Sequence, residues 1–137
     1  MTDEATPNTA TPAAEATAAP ALEAPQAAAR TLPDTANSLL AVGAHVGGLF
    51  TCVLAPLIIF LIARDDAKLN YAVPHAREAL NFQITMLIAA IVLTVSIVGI
   101  ALLPALVLYD TACVIIGSIK AINGDPWRYP LTLRLIK

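Results

Sequence analysis

Residues 79–119 decide the fold, and they read ALNFQITMLIAAIVLTVSIVGIALLPALVLYDTACVIIGSI. As a single α-helix this stretch would be about 60 Å long, twice the thickness of the hydrocarbon core of a bilayer. It must therefore fold back on itself, and Gly99 and Pro104 bracket the turn. We expect one membrane-spanning helix near residues 79–98 and a second near 101–120.

An earlier apolar run covers residues 38–63 and ends at the charged residues 64–66. It is longer than the roughly 20 residues that a helix needs to cross the hydrocarbon core. Pro56 lies within it, and helices embedded in lipid tolerate proline with a kink. The sequence thus predicts an all-α membrane protein with three transmembrane helices, in a domain over 38–137 whose last part, 121–137, lies at the interface.

The composition agrees with this prediction and excludes several classes of function. The chain is 58% hydrophobic and 13% charged, whereas soluble domains carry about 25% charged residues. No basic stripe on a soluble face suggests nucleic acid as a partner. No nucleophile–base pair or metal-ligand spacing occurs, so we expect no enzyme, cofactor or metal. Cys52 and Cys113 lie singly in apolar runs and are interpreted as small buried residues.

Residues 1–37 have a different composition. Residues 1–36 contain thirteen Ala, seven Thr and five Pro, and only one Leu precedes residue 32. The prolines interrupt every stretch long enough to nucleate a helix, and too little apolar surface is present to offset the entropy of ordering. The segment also holds five acids against one base, Arg30. We predict a disordered acidic tail.

The basic residues predict an orientation. Seven of them lie in the loop after the first apolar run or in the C-terminal segment: Arg64, Lys68, Arg77, Lys120, Arg128, Arg134 and Lys137. Since basic residues near membrane spans stay in the cytoplasm, we expect this loop and the C-terminus to be cytoplasmic. With three spans, the N-terminal tail would lie outside.

Two motifs resemble a known family. Residues 74–83, PHAREALNFQ, look like the H-x-x-E-A-L-N-F-Q entry to the middle helix of the Tic20-like family of small bacterial membrane proteins. Residues 124–137, GDPWRYPLTLRLIK, resemble its G-x-x-x-x-Y-P-L-T-I-R-x-I-K ending. The resemblance covers residues 38–137 and implies a multi-pass protein of the bacterial inner membrane with no assigned activity. Asp110 departs from the family pattern, so the resemblance implies no role for it.

An intramembrane polar cluster is predicted around Asp110, because a carboxylate within the hydrocarbon core usually faces a partner in a helix bundle. His45 lies at a similar depth if both spans are counted from the outer side, and Thr94 and Ser96 fall in the same half. The cluster has two interpretations. It is either a proton or ion relay or a set of interhelical hydrogen bonds that fixes packing.

A second polar group, His75, Arg77, Glu78, Asn81 and Gln83, surrounds the start of the second predicted span. We call these residues the collar and expect them to position the helix at the cytoplasmic interface, with a partner docking on them as an alternative. Asn81 and Gln83 are too deep for solvation, so we expect them to bond to neighbouring helices or to the C-terminal segment.

Trp127, Arg128 and Tyr129 follow the last predicted span. Aromatic rings settle at headgroup depth and adjacent bases favour anionic lipid. We therefore expect interface anchors, continued by an extended strip whose leucines alternate with polar residues. A recognition strip for another protein is the alternative.

Small residues predict close helix packing. Gly43 and Gly47 are four residues apart, and Gly117 extends the pattern to the third predicted span. Such faces let helix backbones approach closely. Packing within the chain and contact between copies in a homo-oligomer are both open.

These observations predict a non-enzymatic membrane protein whose lipid-embedded helices pack with copies of the chain or with a membrane partner. The alternative is a transporter, channel or translocon-like subunit that uses the Asp110 region after oligomerisation.

Overall fold

In the computed structural model, which describes residues 32–137, every regular element is helical. The predicted acidic tail lies almost entirely outside the described residues. The helices are α1 (Thr35–Thr51), α2 (Leu54–Ala63), α3 (Ala72–Val95), α4 (Ile97–Ile100) and α5 (Leu103–Ile122), with a short 3-10 helix at Ala67–Leu69.

The first apolar run is a helical hairpin, so the expectation of one helix over 38–63 is wrong. The chain leaves α1 at Cys52, whose φ is +56°, and returns antiparallel as α2. Gly47 faces Ala55 so closely that a Cβ on the glycine would lie 2.6 Å from the Ala55 Cβ, and Gly43 faces Ile59. These small residues let the run pack against itself. At 1.5 Å per residue, α1 is about 25 Å long and α2 about 15 Å.

The second apolar run forms a longer hairpin, with the fold-back that its length predicts. Both α3 and α5 are long and apolar enough to cross a membrane, and they measure about 36 and 30 Å. The reversal occupies residues 96–102 and contains α4. Gly99 sits against the backbone of Leu93 without room for a Cβ. Pro104 lies in the first turn of α5, where a proline leaves no hydrogen bond unmade.

Both hairpins begin and end at the same end of the bundle. The Asn37 amide donates to the Lys68 carbonyl oxygen at 2.6 Å and accepts from the Ala72 N–H at 3.2 Å, which ties α1 to the start of α3. Pro33 lies beside Gly124, just after α5. The residues that join the tail to α1 are therefore on the same side as the C-terminal segment. The sequence instead predicted the tail and the C-terminus on opposite sides of the membrane, because it took the first run as one crossing helix and not as two helices.

We call this the polar end: the starts of α1 and α3, the ends of α2 and α5, and the loop over 64–71. Apart from Asp110, every charged residue in the described chain lies there or in the segment after α5. The opposite, apolar end consists of the turns at 52–53 and 96–102. Its large apolar side chains are strongly exposed, Ile97 by 91% and Val98 by 76%, which fits lipid and not water.

The core forms where α1, α3 and α5 meet the segment that follows α5. Its buried members are mostly small residues around two aromatic rings: Ala44, Ala76, Ala79, Phe82, Met86, Cys113, Val114 and Tyr129. The burial of Cys113 agrees with its interpretation as a small apolar residue. The small side chains bring the helices close enough for the polar groups of the next section to meet.

Candidate functional site

The segment after α5 turns back into the bundle. The Tyr109 hydroxyl donates to the Pro130 carbonyl oxygen at 3.0 Å, and Tyr109 lies about 20 Å along α5 from its polar end. The chain then reverses at Leu131, whose φ is +55°, and returns toward the polar end. We call residues 126–137 the re-entrant loop. It reaches deeper than the interfacial strip that the sequence predicts.

Two side chains of α3 bind the backbone of the returning part of the re-entrant loop. The Asn81 amide donates to the Ile136 carbonyl oxygen at 2.9 Å, and its oxygen accepts from the N–H groups of Leu135 and Ile136 at 3.0 and 2.8 Å. The Thr85 hydroxyl accepts from the Leu133 N–H at 3.0 Å. Irregular backbone is tolerated at membrane depth only where its polar groups are satisfied by protein. This requirement explains the Asn81 amide in the mostly apolar helix α3.

A buried ring cluster connects the first part of the re-entrant loop to α1 and α3. The Tyr129 ring stacks on Phe82, with centroids 4.0 Å apart. Its hydroxyl lies 2.7 Å from His45 Nδ1, and His45 Nε2 lies 3.0 Å from His75 Nδ1. Burial raises the pKa of Tyr129 well above its usual range, so the phenol keeps its proton. Tyr129 is 2% exposed, and its predicted role as an interface anchor is wrong because the loop carries it inward.

The predicted pairing of His45 with Asp110 is also wrong. Both His45 ring nitrogens are taken by the ring cluster, and Asp110 accepts instead from Gln83 Nε2 at 3.2 Å. The Thr94 hydroxyl donates to a carbonyl of its own helix, and the Ser96 hydroxyl caps α4. The prediction counted the depth of His45 from the far side of the membrane, whereas α1 enters from the polar end.

Gln83 and Asp110 lie in a crevice of about 200 Å³ between α1, α3 and α5. Gly48 faces the Gln83 side chain, whose Cγ would lie 2.9 Å from a Cβ at this glycine. Sequence reasoning missed Gly48, although it lies next to the glycine pattern that was singled out. Its lack of a side chain leaves room for the Gln83 amide.

The three glycines predicted to support packing all face parts of the same chain. Gly43 and Gly47 close the first hairpin, as described above. Gly117 faces the re-entrant loop: a Cβ there would lie 2.9 Å from the Tyr129 hydroxyl and 3.1 Å from the Trp127 ring. The intrachain packing that was one of the two interpretations accounts for each of these contacts.

A cavity of about 390 Å³ lies at the polar end, between the start of α3 and the start of the re-entrant loop. We call it the polar-end cavity. Its lining residues are Tyr71, Pro74, His75, Arg77, Glu78, Gly124, Pro126, Trp127 and Arg128. One Glu78 oxygen accepts from Arg134 Nε at 3.2 Å. The other, Oε2, is buried without a hydrogen-bond partner in the described chain, as is Trp127 Nε1.

The predicted collar therefore divides into separate contacts. His75 joins the ring cluster, while Arg77 and Glu78 line the polar-end cavity. Asn81 holds the re-entrant loop, and Gln83 binds Asp110. Of the predicted anchors, Trp127 and Arg128 border the same cavity. Over residues 32–137, no group of three or more His, Cys, Asp or Glu side chains is arranged to hold a metal ion.

The comparisons with known proteins identify a family. The family model MamF/MmsF, the magnetosome magnetite crystal formation protein family, matches residues 36–136. The match covers nearly all of the five helices and the re-entrant loop, so the chain belongs to this family. The resemblance to the Tic20-like family is thereby corrected, together with the translocon role that it suggested. No curated protein and no solved structure matches the chain.

Proposed function

We propose that this member of the magnetosome magnetite crystal formation family is a non-catalytic membrane platform that acts in crystal formation through its polar end. The observation that carries the proposal is the one-sided distribution of charge. Of the charged residues described, Asp110 alone lies outside the polar end and the segment after α5, and none occurs between residues 79 and 109. A protein built in this way offers hydrogen bonds and charge to one side of the membrane.

The orientation of the platform follows from its basic residues. The seven bases of the described chain all lie at the polar end or in the segment after α5. Basic residues flanking membrane helices remain in the cytoplasm. The polar end then faces the cytoplasm of the bacterial cell, and the platform works from that side of the membrane, by contact with copies of the chain or with a membrane partner.

The hydrogen bonds of the interior support a structural and not a catalytic role. The ring nitrogens of His45, the Asn81 amide and the Gln83 amide are each engaged by other groups of the chain. Polar networks that are satisfied in this way fix one packing arrangement and rigidify it. A rigid re-entrant loop presents the polar end in a defined shape.

The test compares two variants in a cell that forms magnetosomes: one lacks four charges at the polar end, and the other is a control changed at the apolar end. In the polar-end variant, Arg64→Gln, Asp65→Asn, Asp66→Asn and Lys68→Gln remove four charges from the exposed loop, and asparagine at 66 keeps the oxygen that caps the 3-10 helix. The control carries Ile97→Leu and Val98→Leu at the apolar end. We expect altered crystal size or number by electron microscopy for the polar-end variant only, at equal protein levels in the membrane. Crystals like those of the parent in both strains would contradict the proposal.

Transport is a second candidate, favoured by one observation. Asp110 and Gln83 place a carboxylate and an amide in a mostly apolar crevice between α1, α3 and α5, and ionisable groups within membrane helices commonly mark ion pathways. Asp110→Asn keeps the shape and the Gln83 contact while removing the charge. If the protein is a transporter, this variant should lose ion flux in reconstituted vesicles while remaining folded. Unchanged flux leaves the crevice with a packing role.

A further inference from the structure

The two hairpins reach different depths from the polar end. The Asn37 amide oxygen accepts from the Ala72 N–H, so α1 and α3 start at the same level. Gly48 faces Gln83, and each lies eleven residues beyond its helix's starting point, so the two helices stay level. From Asn37 to its end α1 rises about 21 Å, whereas α3 rises about 35 Å from Ala72 to its end. The turn at 52–53 therefore stops about 14 Å short of the end of α3. We call the part of the bundle beyond this turn the far part.

In the far part, α3 and α5 lose the neighbours that surround them near the polar end. All the buried residues of α3 lie between Ala72 and Met86, and all those of α5 lie between Cys113 and Ala121. There the two helices pack against α1, α2 and the re-entrant loop, which reaches as far as Tyr109. Within residues 32–137, the part near the polar end thus contains four α-helices and a loop. The far part contains only α3, α5 and the turn that joins them.

We propose that this protein is a wedge whose ligand is a curved lipid surface, with the polar end on the convex side. Bending a bilayer expands the leaflet on the convex side and compresses the other one. At about 15 Å, α2 spans one leaflet of a hydrocarbon core that is roughly 30 Å thick. Since each helix is about 10–12 Å across, the first hairpin and the loop widen the protein mainly in the polar-end leaflet.

Lipid is the partner that the chemistry of the far part favours. Its large side chains are apolar and exposed, as for Val92 and Leu102, so acyl chains and not water cover them. Even a modest misfit between a protein and the bilayer sorts membrane proteins between membranes. The wedge should therefore collect where the polar-end leaflet is expanded. This proposal does not depend on the platform role.

Sorting between a flat membrane and a membrane tube tests the proposal on the full chain. A narrow tube is pulled from a giant vesicle that contains the Asp65→Cys variant, in a background without Cys52 and Cys113. Residue 65 is exposed in the polar-end loop. An impermeant dye maleimide added outside then labels only molecules whose polar end faces outward, which is the convex side of the tube. We expect their density, relative to a lipid dye, to be higher in the tube than in the flat membrane and to rise as the tube narrows.

The opposite orientation is an internal control. In a Val98→Cys variant of the same background, the dye added outside labels molecules whose apolar end faces outward. Their polar end lies on the concave side of the tube, so we expect these molecules to be depleted from it. The lipids and the tube are the same in both measurements, and only the direction of the wedge differs.

A lengthened first hairpin locates the effect. Seven residues, about two helical turns, are inserted on each side of residues 52–53, as a mixture of Leu and Ala. The insertions extend α1 and α2 by about 10 Å and keep their faces in register. Because the longer hairpin fills the far part, the enrichment of outward-facing molecules should fall toward one. Ile58→Leu, at an exposed position of α2, keeps the cross-section and should sort like the parent.

Three results would overturn the proposal. Equal sorting of the two orientations would mean that the shape is not sensed, as would occur if a second copy of the chain covered the far part. Enrichment of the inward-facing molecules would give the wedge the wrong direction. A lengthened variant with the parent's enrichment would assign the sorting to another feature. If that variant loses the parent's resistance to protease, the comparison of the two orientations decides alone.

Discussion

The two hairpins of this protein start from similar apolar runs and pack in opposite ways. In the first, α1 and α2 turn within residues 52–53 and touch directly through Gly47 and Ala55. In the second, α3 and α5 diverge from a broader turn, and the aromatic pair of Phe82 and Tyr129 lies between them. The difference shows that hydropathy sets how much chain enters the membrane, whereas side-chain size decides whether that chain packs on itself or leaves room for another segment.

The largest expected effect concerns the direction of the first hairpin. Single cysteines replace Thr35, Asp65 or Val98 in a background without Cys52 and Cys113. Since both hairpins begin and end at the polar end, a membrane-impermeant maleimide should label positions 35 and 65 from the same side. Position 98 should not react from that side. Labelling of positions 35 and 65 from opposite sides would mean that the first apolar run crosses the membrane once. The first hairpin, and with it the comparison between the two hairpins, would then be wrong.

In the second hairpin, Asn81→Leu should cost the most stability. It leaves two N–H groups and one carbonyl of the re-entrant loop without partners, at about 1–3 kcal/mol each. We expect a loss of about 3–9 kcal/mol in a denaturation titration in detergent, with faster hydrogen exchange at Leu135 and Ile136. Thr94→Val, which removes only a bond within its own helix, should change stability by less than about 1 kcal/mol.

The first hairpin allows a comparison of two glycines with opposite expected signs. Gly47→Ala places a Cβ 2.6 Å from the Ala55 Cβ, which forces the helices apart and should cost about 1–3 kcal/mol. At Gly43 the nearest atom would be 3.5 Å away, an ordinary contact. Gly43→Ala should therefore stabilise by about 0.5–1 kcal/mol through helix propensity. Thermal unfolding in the same detergent measures both, and equal effects would refute the close packing.

Tyr129→Phe tests a single hydrogen bond of the buried ring cluster. It keeps the stacking on Phe82 and removes one buried hydrogen bond to His45, worth about 1 kcal/mol. The pKa of Tyr129 is raised from 10.0 by burial, so above pH 10 the unfolded tyrosine ionises while the folded one stays neutral. The advantage of the parent over the variant should therefore shrink as the pH rises above 10. An advantage that is constant from pH 8 to 11 would contradict the burial of the phenol.

The second hairpin could be predicted because length alone requires it. A mostly apolar run of forty-one residues, 79–119, is too long for one membrane helix. Residues 38–63 are short enough to form one, so the sequence did not indicate the first reversal. The signal for it was present in the four-residue spacing of Gly43 and Gly47, followed by Ala55 after a short gap. A pattern of small residues, however, does not reveal whether its partner is the same run, another helix or another copy.

The candidate site was predicted in its residues and not in its contacts. Asn81 and Gln83 stood out because amides inside an apolar helix need partners, and each has one in the structure. The partners of His45 could not be found, because pairing by depth depends on which side a helix enters from. The re-entrant loop was hidden for a related reason: its alternating leucines suit a membrane surface as well as a groove between helices.

The charge-free apolar end has a consequence for biogenesis. The turns at 52–53 and 96–102 are the parts of the chain that travel farthest through the bilayer, and neither holds an ionised side chain. Carrying one charged residue to the middle of a membrane costs about 2.5–3.5 kcal/mol on insertion scales. Both hairpins can thus enter as preformed loops from the side of synthesis, without any charge being exported, and only Asp110 must be accommodated within the hydrocarbon.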